Sequence, residues 1–254
     1  MTTDRKLAAV IMAAGRGTRM KEADRAKVLF EINGRPMIHY VTDLAYSLNA
    51  TRVIVIVGYQ RDSVMAYIRQ SHPDAEAVVQ QEQKGTGHAV LQTEETLKNF
   101  AGDVLVLSGD VPLLRKGTIE ELIAHHRMSN AVGTILTAEV EDPSGYGRVI
   151  RNENGSVKKI VEHRDANAEE LALREINSGI YLFSKEKLFD GLNHLNPHNI
   201  QNEYYLTDVF EYFWHHQWIV SALKAPHPDE IRGVNTVIQL DEARQVLSGG
   251  KPLS

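Results

Sequence analysis

The chain has 254 residues, 43% of them hydrophobic and 24% charged, which suits a globular protein of one large domain or two small ones. Its formal net charge of −5 argues against a general nucleic-acid binder, which carries a basic surplus, so any anion site must be built locally. Cysteine is absent, which excludes disulfides and thiolate metal sites and fits a cytoplasmic protein.

Arg5 and Lys6 before an apolar run look like the start of a signal peptide, but Gly-Arg-Gly-Thr-Arg follows at once and suits a ligand loop better. No apolar run approaches the roughly 20 residues of a membrane span. Leu7–Met12 reads as a first strand, and Pro36 starts a helix over Met37–Leu48. Arg52–Val57 is a β-branched run without alternation, as expected of a strand buried on both faces. Helix over Ser63–Gln70, strand over Ala77–Gln80, helix over Gly87–Leu97, strand over Val104–Leu107 and helix over Thr118–Met128 follow. This alternation predicts a mostly parallel sheet with helices on both faces, a Rossmann-like three-layer α/β fold. Beyond about residue 131 strands dominate: Val132–Val140, Gly147–Ile150, Val157–Val161 and Ile176–Phe183, with a hairpin turn at 152–155. Helices return at Tyr205–His216 and Thr236–Leu247. The pattern predicts a single domain, with a smaller α+β lobe over 131–247 facing the first half and a disordered tail over 248–254.

Ligands of such sheets bind beyond the carboxyl ends of the strands. Gly15 and Gly17 follow the first strand, and glycine lets backbone N–H groups approach a ligand closely. Arg16, Arg19 and Lys27 bring positive charge to that turn, which suits a polyphosphate. The loop is not a Walker A motif, and Met20 stands where a dinucleotide fingerprint has its third glycine. Asp110 ends another strand; it could serve as a turn residue or hold Mg²⁺ together with substrate phosphates. Gln80 offers donor and acceptor in one amide, matching a uracil edge. His125-His126 and His215-His216 are adjacent on helices and do not face one another, so they read as solvated or half-buried side chains.

Taken in order, LAAVIMAAGRGTRM with Lys27, QQEQKGTGHA, SGDVPLL, DPSGYGRVIR, IVEHRDA, EINSGIY, NEYYLTD and GVN resemble the uridyltransferase domain of the bacterial bifunctional enzymes that make UDP-N-acetylglucosamine, among the sugar-phosphate nucleotidyltransferases. The resemblance runs from about Leu7 to Leu247. It implies transfer of UMP from UTP to N-acetylglucosamine 1-phosphate. By the same resemblance, Ala13, Ala14 and Gly15 line the nucleoside pocket, and Gln80 and Gly85 read uracil with Thr86 nearby. Arg19 and Lys27 neutralise the phosphates and stabilise the transition state, and Asp110 and Asn235 hold Mg²⁺. Gly147, Glu162 and Asn177 grip the sugar phosphate, with Tyr205 and Thr207 lining that pocket. Neither nucleic acid nor membrane is an expected partner. The family continues into a hexapeptide-repeat β-helix with acetyltransferase activity, whereas this sequence ends at Ser254, so acetyl transfer and trimerisation are not carried over. Ser108 faces the sugar in the family, which leaves another sugar 1-phosphate, such as glucose 1-phosphate, as an alternative substrate. A silent nucleotide-sugar binder and a dinucleotide-dependent dehydrogenase are the readings from other classes.

Overall fold

A computed structural model of the chain describes residues 5–17, 20 and 25–249. The first strand, β1 (Lys6–Ala13), is apolar at nearly every position because both faces of the sheet are covered. A single 3₁₀ turn at Lys27–Leu29 leads into a two-residue hairpin, β2 (Glu31–Ile32) and β3 (Arg35–Pro36). Asn33 and Gly34 form its turn at positive φ, as the tightest hairpin connection requires. Then come α1 (Met37–Ser47), β4 (Arg52–Val57), α2 (Arg61–Ser71), β5 (Glu76–Val79), α3 (Thr86–Leu91), α4 (Glu94–Leu97), β6 (Gly102–Ser108) and α5 (Lys116–Met128). The second half adds β7 (Gly133–Glu139), β8 (Arg148–Arg151), β9 (Val157–Val161), α6 (Ala168–Leu171), β10 (Glu175–Ser184), α7 (Lys185–Asn193), α8 (Asp208–His215), β11 (Val220–Lys224) and α9 (Val237–Leu247).

One nine-stranded sheet spans both halves in the order β11-β7-β10-β6-β1-β4-β5, with β8 and β9 attached beside β10. Along that path only β10 runs against its neighbours. Alternate residues of the central strands feed two cores. Ala9, Ile11, Val53, Val55 and Leu107 pack against α1, α2 and α5, while Val10, Ile54, Ile56, Val104 and Val106 pack against α3, α7 and α8. The mostly parallel, three-layer α/β architecture is therefore present. Among the described residues no helix is long and apolar enough to cross a membrane.

Two helices differ from the sequence expectation. The expected helix over Gly87–Leu97 breaks at Gln92–Thr93, where the buried Thr93 hydroxyl donates to the Val90 carbonyl at 2.7 Å. The helix expected from Tyr205 begins at Asp208. Residues 204–206 instead dock on the 84–87 loop: Tyr204 N–H donates to the Lys84 carbonyl, the Tyr204 carbonyl accepts from Gly87 N–H, and Leu206 N–H donates to the Thr86 hydroxyl. Of the tail read as disordered, Ser248 caps α9 by bonding the Arg244 carbonyl, and residues 250–254 lie outside the described residues. Helices α6 and α7, strand β11 and the small hairpin were not anticipated.

Candidate active site

Strands β1 and β6 are parallel neighbours with Met12 opposite Ser108. Their carboxyl ends therefore deliver the Ala13–Gly17 loop and Asp110 to the same rim, joined by the Gly109 N–H to Met12 carbonyl bond of 3.0 Å. A cleft of about 690 Å³ opens there. Ala13, Ala14, Gly15, Lys27, Gln80, Gly85, Thr86, Asp110 and Asn235 all line it. Arg19 lies outside the described residues.

The Lys27 ammonium is the electrostatic centre of the cleft. It donates to Asp110 Oδ2 and, at 2.6 Å, to Asn235 Oδ1. Ser108 Oγ donates to the other Asp110 oxygen at 2.5 Å. Burial pushes the Asp110 carboxyl up, but Lys27 and the Ser108 hydroxyl outweigh it and hold the group below its ordinary range. Gly17 sits at φ +59°, and a Cβ there would lie 2.5 Å from the Lys27 Cβ, so glycine is what lets the lysine stem pass. Asn235 is fixed through the backbone: Val234 N–H donates to the Asp110 carbonyl, and Asn235 N–H donates to Gln239 Oε1 at 2.7 Å.

Two hard oxygen atoms thus converge on one cation position. That donor set fits Mg²⁺, which takes few protein ligands and completes its shell with water and phosphate oxygens. Asp110 and Asn235 are the residues that could hold such an ion.

Gln80 is 3% exposed. Its Nε2 donates to the Gly85 carbonyl at 3.0 Å and lies 3.1 Å from His88 Nδ1. The Gly85 carbonyl thus takes one amide hydrogen of Gln80, and His88 Nδ1 lies within reach of the other. Gly85, at φ +105°, is tightly enclosed: a Cβ would stand 2.5 Å from the Tyr204 carbonyl oxygen. The 84–87 loop and residues 204–206 are zipped together at this point.

Gly147, Glu162, Asn177, Tyr205 and Thr207 do not line this cleft but gather in a second cluster. Asn177 N–H donates to the Gly147 carbonyl at 2.9 Å, and Asn177 Nδ2 donates to Tyr181 Oη at 2.7 Å. Thr207 Oγ1 donates to Glu162 Oε1 at 3.2 Å. A Cβ on Gly147 would lie 3.5 Å from Glu162 Oε2. Tyr205 Oη accepts from Gln201 at 2.6 Å. Burial raises the Glu162 carboxyl, and burial together with Glu162, Glu211 and Asp165 pushes Asp208 up to about 7. The segment 203–207 connects the two groups, since Glu203 lines the cleft and Thr207 holds Glu162. Sequence reasoning missed Glu203, Val28 and Ala89 as lining residues. Glu203 was open to discovery inside the NEYYLTD block, whereas the two apolar walls carry no local signal.

The paired histidines lie away from the cleft. His125 Nε2 lies 2.6 Å from Ser221 Oγ, and His216 is exposed. His126 corrects the expectation of partial exposure: it is fully buried, with Nδ1 2.7 Å from Thr134 Oγ1.

Comparison with known proteins adds the following. A family model described as nucleotidyl transferase matches residues 8–225. The chain is 46% identical over 241 residues to the "Bifunctional protein GlmU" of Pelotomaculum thermopropionicum, covering 95% of this chain and 52% of that protein. It is 44% identical over 239 residues to the protein of the same name from Geobacillus sp. (strain WCH70), covering 94% and 51% respectively. The chain spans about half the length of the curated relatives it matches. A crystal structure of UDP-glucose pyrophosphorylase complexed with UDP-glucose superposes with a TM-score of 0.77, covering 96% of this chain and 99% of that one. At 20% identity, that likeness shows a shared fold. On the family match over most of its length, this chain belongs to the nucleotidyl transferase family.

Proposed function

We propose that the chain transfers UMP from UTP to N-acetylglucosamine 1-phosphate, giving UDP-N-acetylglucosamine and pyrophosphate. The observation that carries this reading is the charge constellation of the cleft: Lys27 between Asp110 and Asn235, at the carboxyl ends of β1 and β6, beside the Gln80–Gly85 loop. Identity of 44–46% to proteins named "Bifunctional protein GlmU" supports it. The first half, to about residue 130, is the nucleotide-binding part, and residues 131–247 form the sugar-binding part.

In this reading the backbone of Ala13, Ala14 and Gly15 borders the nucleoside, with Thr86 nearby. Gln80 and Gly85 read the base. Lys27 and Arg19 neutralise the phosphates. Gly147, Glu162 and Asn177 hold the sugar phosphate, with Tyr205 and Thr207 beside it. Asp110 and Asn235 hold Mg²⁺, which when bound supplies charge neutralisation on the phosphate oxygens.

The nucleophile is an anionic oxygen of the sugar phosphate. Its bond to the α-phosphorus forms as the bridging bond to the β-phosphate breaks, and pyrophosphate leaves with the electron pair. No proton has to be removed from the nucleophile. Accordingly, among the described residues that line the cleft there is no histidine. The chain contributes orientation and fixed positive charge rather than acid–base chemistry.

The test is pyrophosphate release by the purified protein from UTP with N-acetylglucosamine 1-phosphate or with glucose 1-phosphate. A higher kcat/KM with the former is expected. Preference for glucose 1-phosphate overturns the sugar assignment, and no release with either overturns catalysis. Asp110→Ala is expected to lower Mg²⁺-dependent turnover by about 10²-fold or more with a cooperative melt retained. Unchanged turnover in that variant removes Asp110 from the metal site.

A further inference from the structure

Away from the cleft, α1 carries His39 and Asp43 one helical turn apart, and His72 ends α2. One ligand atom from each of the three lies within 4.8 Å of the others. His39 Nε2 is 3.3 Å from one Asp43 oxygen, and His72 Nε2 is 3.0 Å from the other. Ligand atoms around a tetrahedral ion with bonds of about 2.0–2.1 Å stand about 3.3 Å apart. The two histidine–carboxylate separations are thus already close to those of a coordination shell.

The outer contacts point the same way. Metal-binding imidazoles are oriented by a partner on the other ring nitrogen. Here His39 Nδ1 lies 2.9 Å from Tyr67 Oη, and His72 Nδ1 lies 2.8 Å from Ser71 Oγ. Ser71 spends its single hydroxyl proton on the Tyr67 carbonyl at 2.9 Å. With the Ser71 hydroxyl directed at that carbonyl, His72 Nδ1 is the donor to Ser71 Oγ. A neutral His72 in that tautomer turns the Nε2 lone pair toward the Asp43 carboxylate, and the two repel unless a proton or a metal ion stands between them. The His72 ring is packed in place, 7% exposed and parallel to Tyr46 at 6.0 Å. Burial, with His72 and Arg35 adding to it and Asp43 opposing, lowers His39 and so favours the neutral, ligating form. Asp43 is half exposed, which leaves a path for entry.

We propose that His39, Asp43 and His72 form a transition-metal site of the zinc class that fastens α1 to the end of α2, with the fourth position held by solvent. Two imidazoles and one carboxylate suit Zn²⁺ or Co²⁺ rather than Mg²⁺ or Ca²⁺, which prefer all-oxygen shells. None of the three residues lines the cleft, so the site is separate from the proposed Mg²⁺ position.

The test is a Co²⁺ titration of the metal-free full chain, followed by visible absorption. One equivalent per chain with the strong d–d band of a four-coordinate ion is expected, bleached by Zn²⁺. His72→Gln and Asp43→Asn each remove a ligand and should weaken Co²⁺ binding by more than the roughly 10- to 100-fold that loss of an outer-shell partner costs. Asp110→Ala should leave the band unchanged. Zn²⁺ should raise the melting temperature of the parent protein and not that of His72→Gln. Asp43 is exposed enough that its variant tests the site even where a histidine variant fails to fold. Absence of a four-coordinate band, or a band that persists in the Asp43 and His72 variants, overturns the proposal and leaves two histidine–carboxylate contacts.

Discussion

At the scale of single residues, two glycines of the cleft make opposite predictions. Gly85 is in the left-handed region, and a side chain there would run into the Tyr204 backbone. Gly85→Ala should therefore cost about 2 kcal/mol or more of unfolding free energy in urea titrations. Gly15 has no atom within 4 Å of an added Cβ, so Gly15→Ala should leave stability within about 0.5 kcal/mol. His126 gives the chain an acid limb. Burial dominates its surroundings and lowers it from 6.5 to about 4. Between those values the unfolded chain binds a proton that the folded chain refuses, so stability falls as pH falls through this window, by roughly 3 kcal/mol in full. Chemical unfolding at pH 7 and pH 4.5 should show a smaller difference in His126→Gln than in the parent chain.

At the scale of elements, α9 positions a cleft residue. Thr236 and Gln239 form a capping box at its start. The Gln239 carbonyl oxygen also accepts from Asn235 N–H, so the cap that starts the helix also orients a proposed metal ligand. Arg244 ties the same helix to the Glu31 carbonyl at 2.9 Å, in the hairpin that follows Lys27. Gln239→Ala should cost about 1 kcal/mol of stability. It should also raise the Mg²⁺ concentration for half-maximal turnover while kcat at saturating Mg²⁺ stays near the parent value; an unchanged Mg²⁺ requirement would separate the cap from the site. Elements were legible where local pattern and tertiary burial agree. Arg52–Val57 and Val157–Val161 have the anticipated bounds, because a β-branched run and a glycine-led hairpin turn declare themselves locally. The start of α8 was not legible. Tyr205 has helical spacing, but its neighbours' backbone groups are committed to a loop some 120 positions earlier, and no local pattern reports such a partner.

At the scale of the molecule, the two halves share backbone hydrogen bonds, since β10 pairs with β6 on one side and β7 on the other. The Ala13–Gly17 loop, Gln80 and Asp110 meet at one rim because β1, β5 and β6 run parallel, and the alternation of elements made the pairing of the glycine loop with Asp110 readable. Lys27 and Asn235 arrive from a turn and from the start of α9, which that alternation does not place. The arrangement inside the rim did not follow. Periodicity cannot show that Lys27 bonds Asp110 across 83 positions and Asn235 across 208. That bond has a consequence for how ligands enter. A divalent ion seeking the two oxygens competes with a lysine tethered beside them at high effective concentration. Lys27 leaves without loss only when an incoming polyphosphate offers it new anionic partners. On the proposed site, metal and nucleotide binding are expected to be thermodynamically linked, each tightening the other by the same factor. Calorimetric titration should find weak Mg²⁺ binding to the parent protein without nucleotide and tighter binding with it. Lys27→Met should bind Mg²⁺ more tightly than the parent in the absence of nucleotide, lose most of that linkage and turn over poorly. Equal Mg²⁺ affinity in both proteins would show that the lysine is a bystander, not the ion's rival.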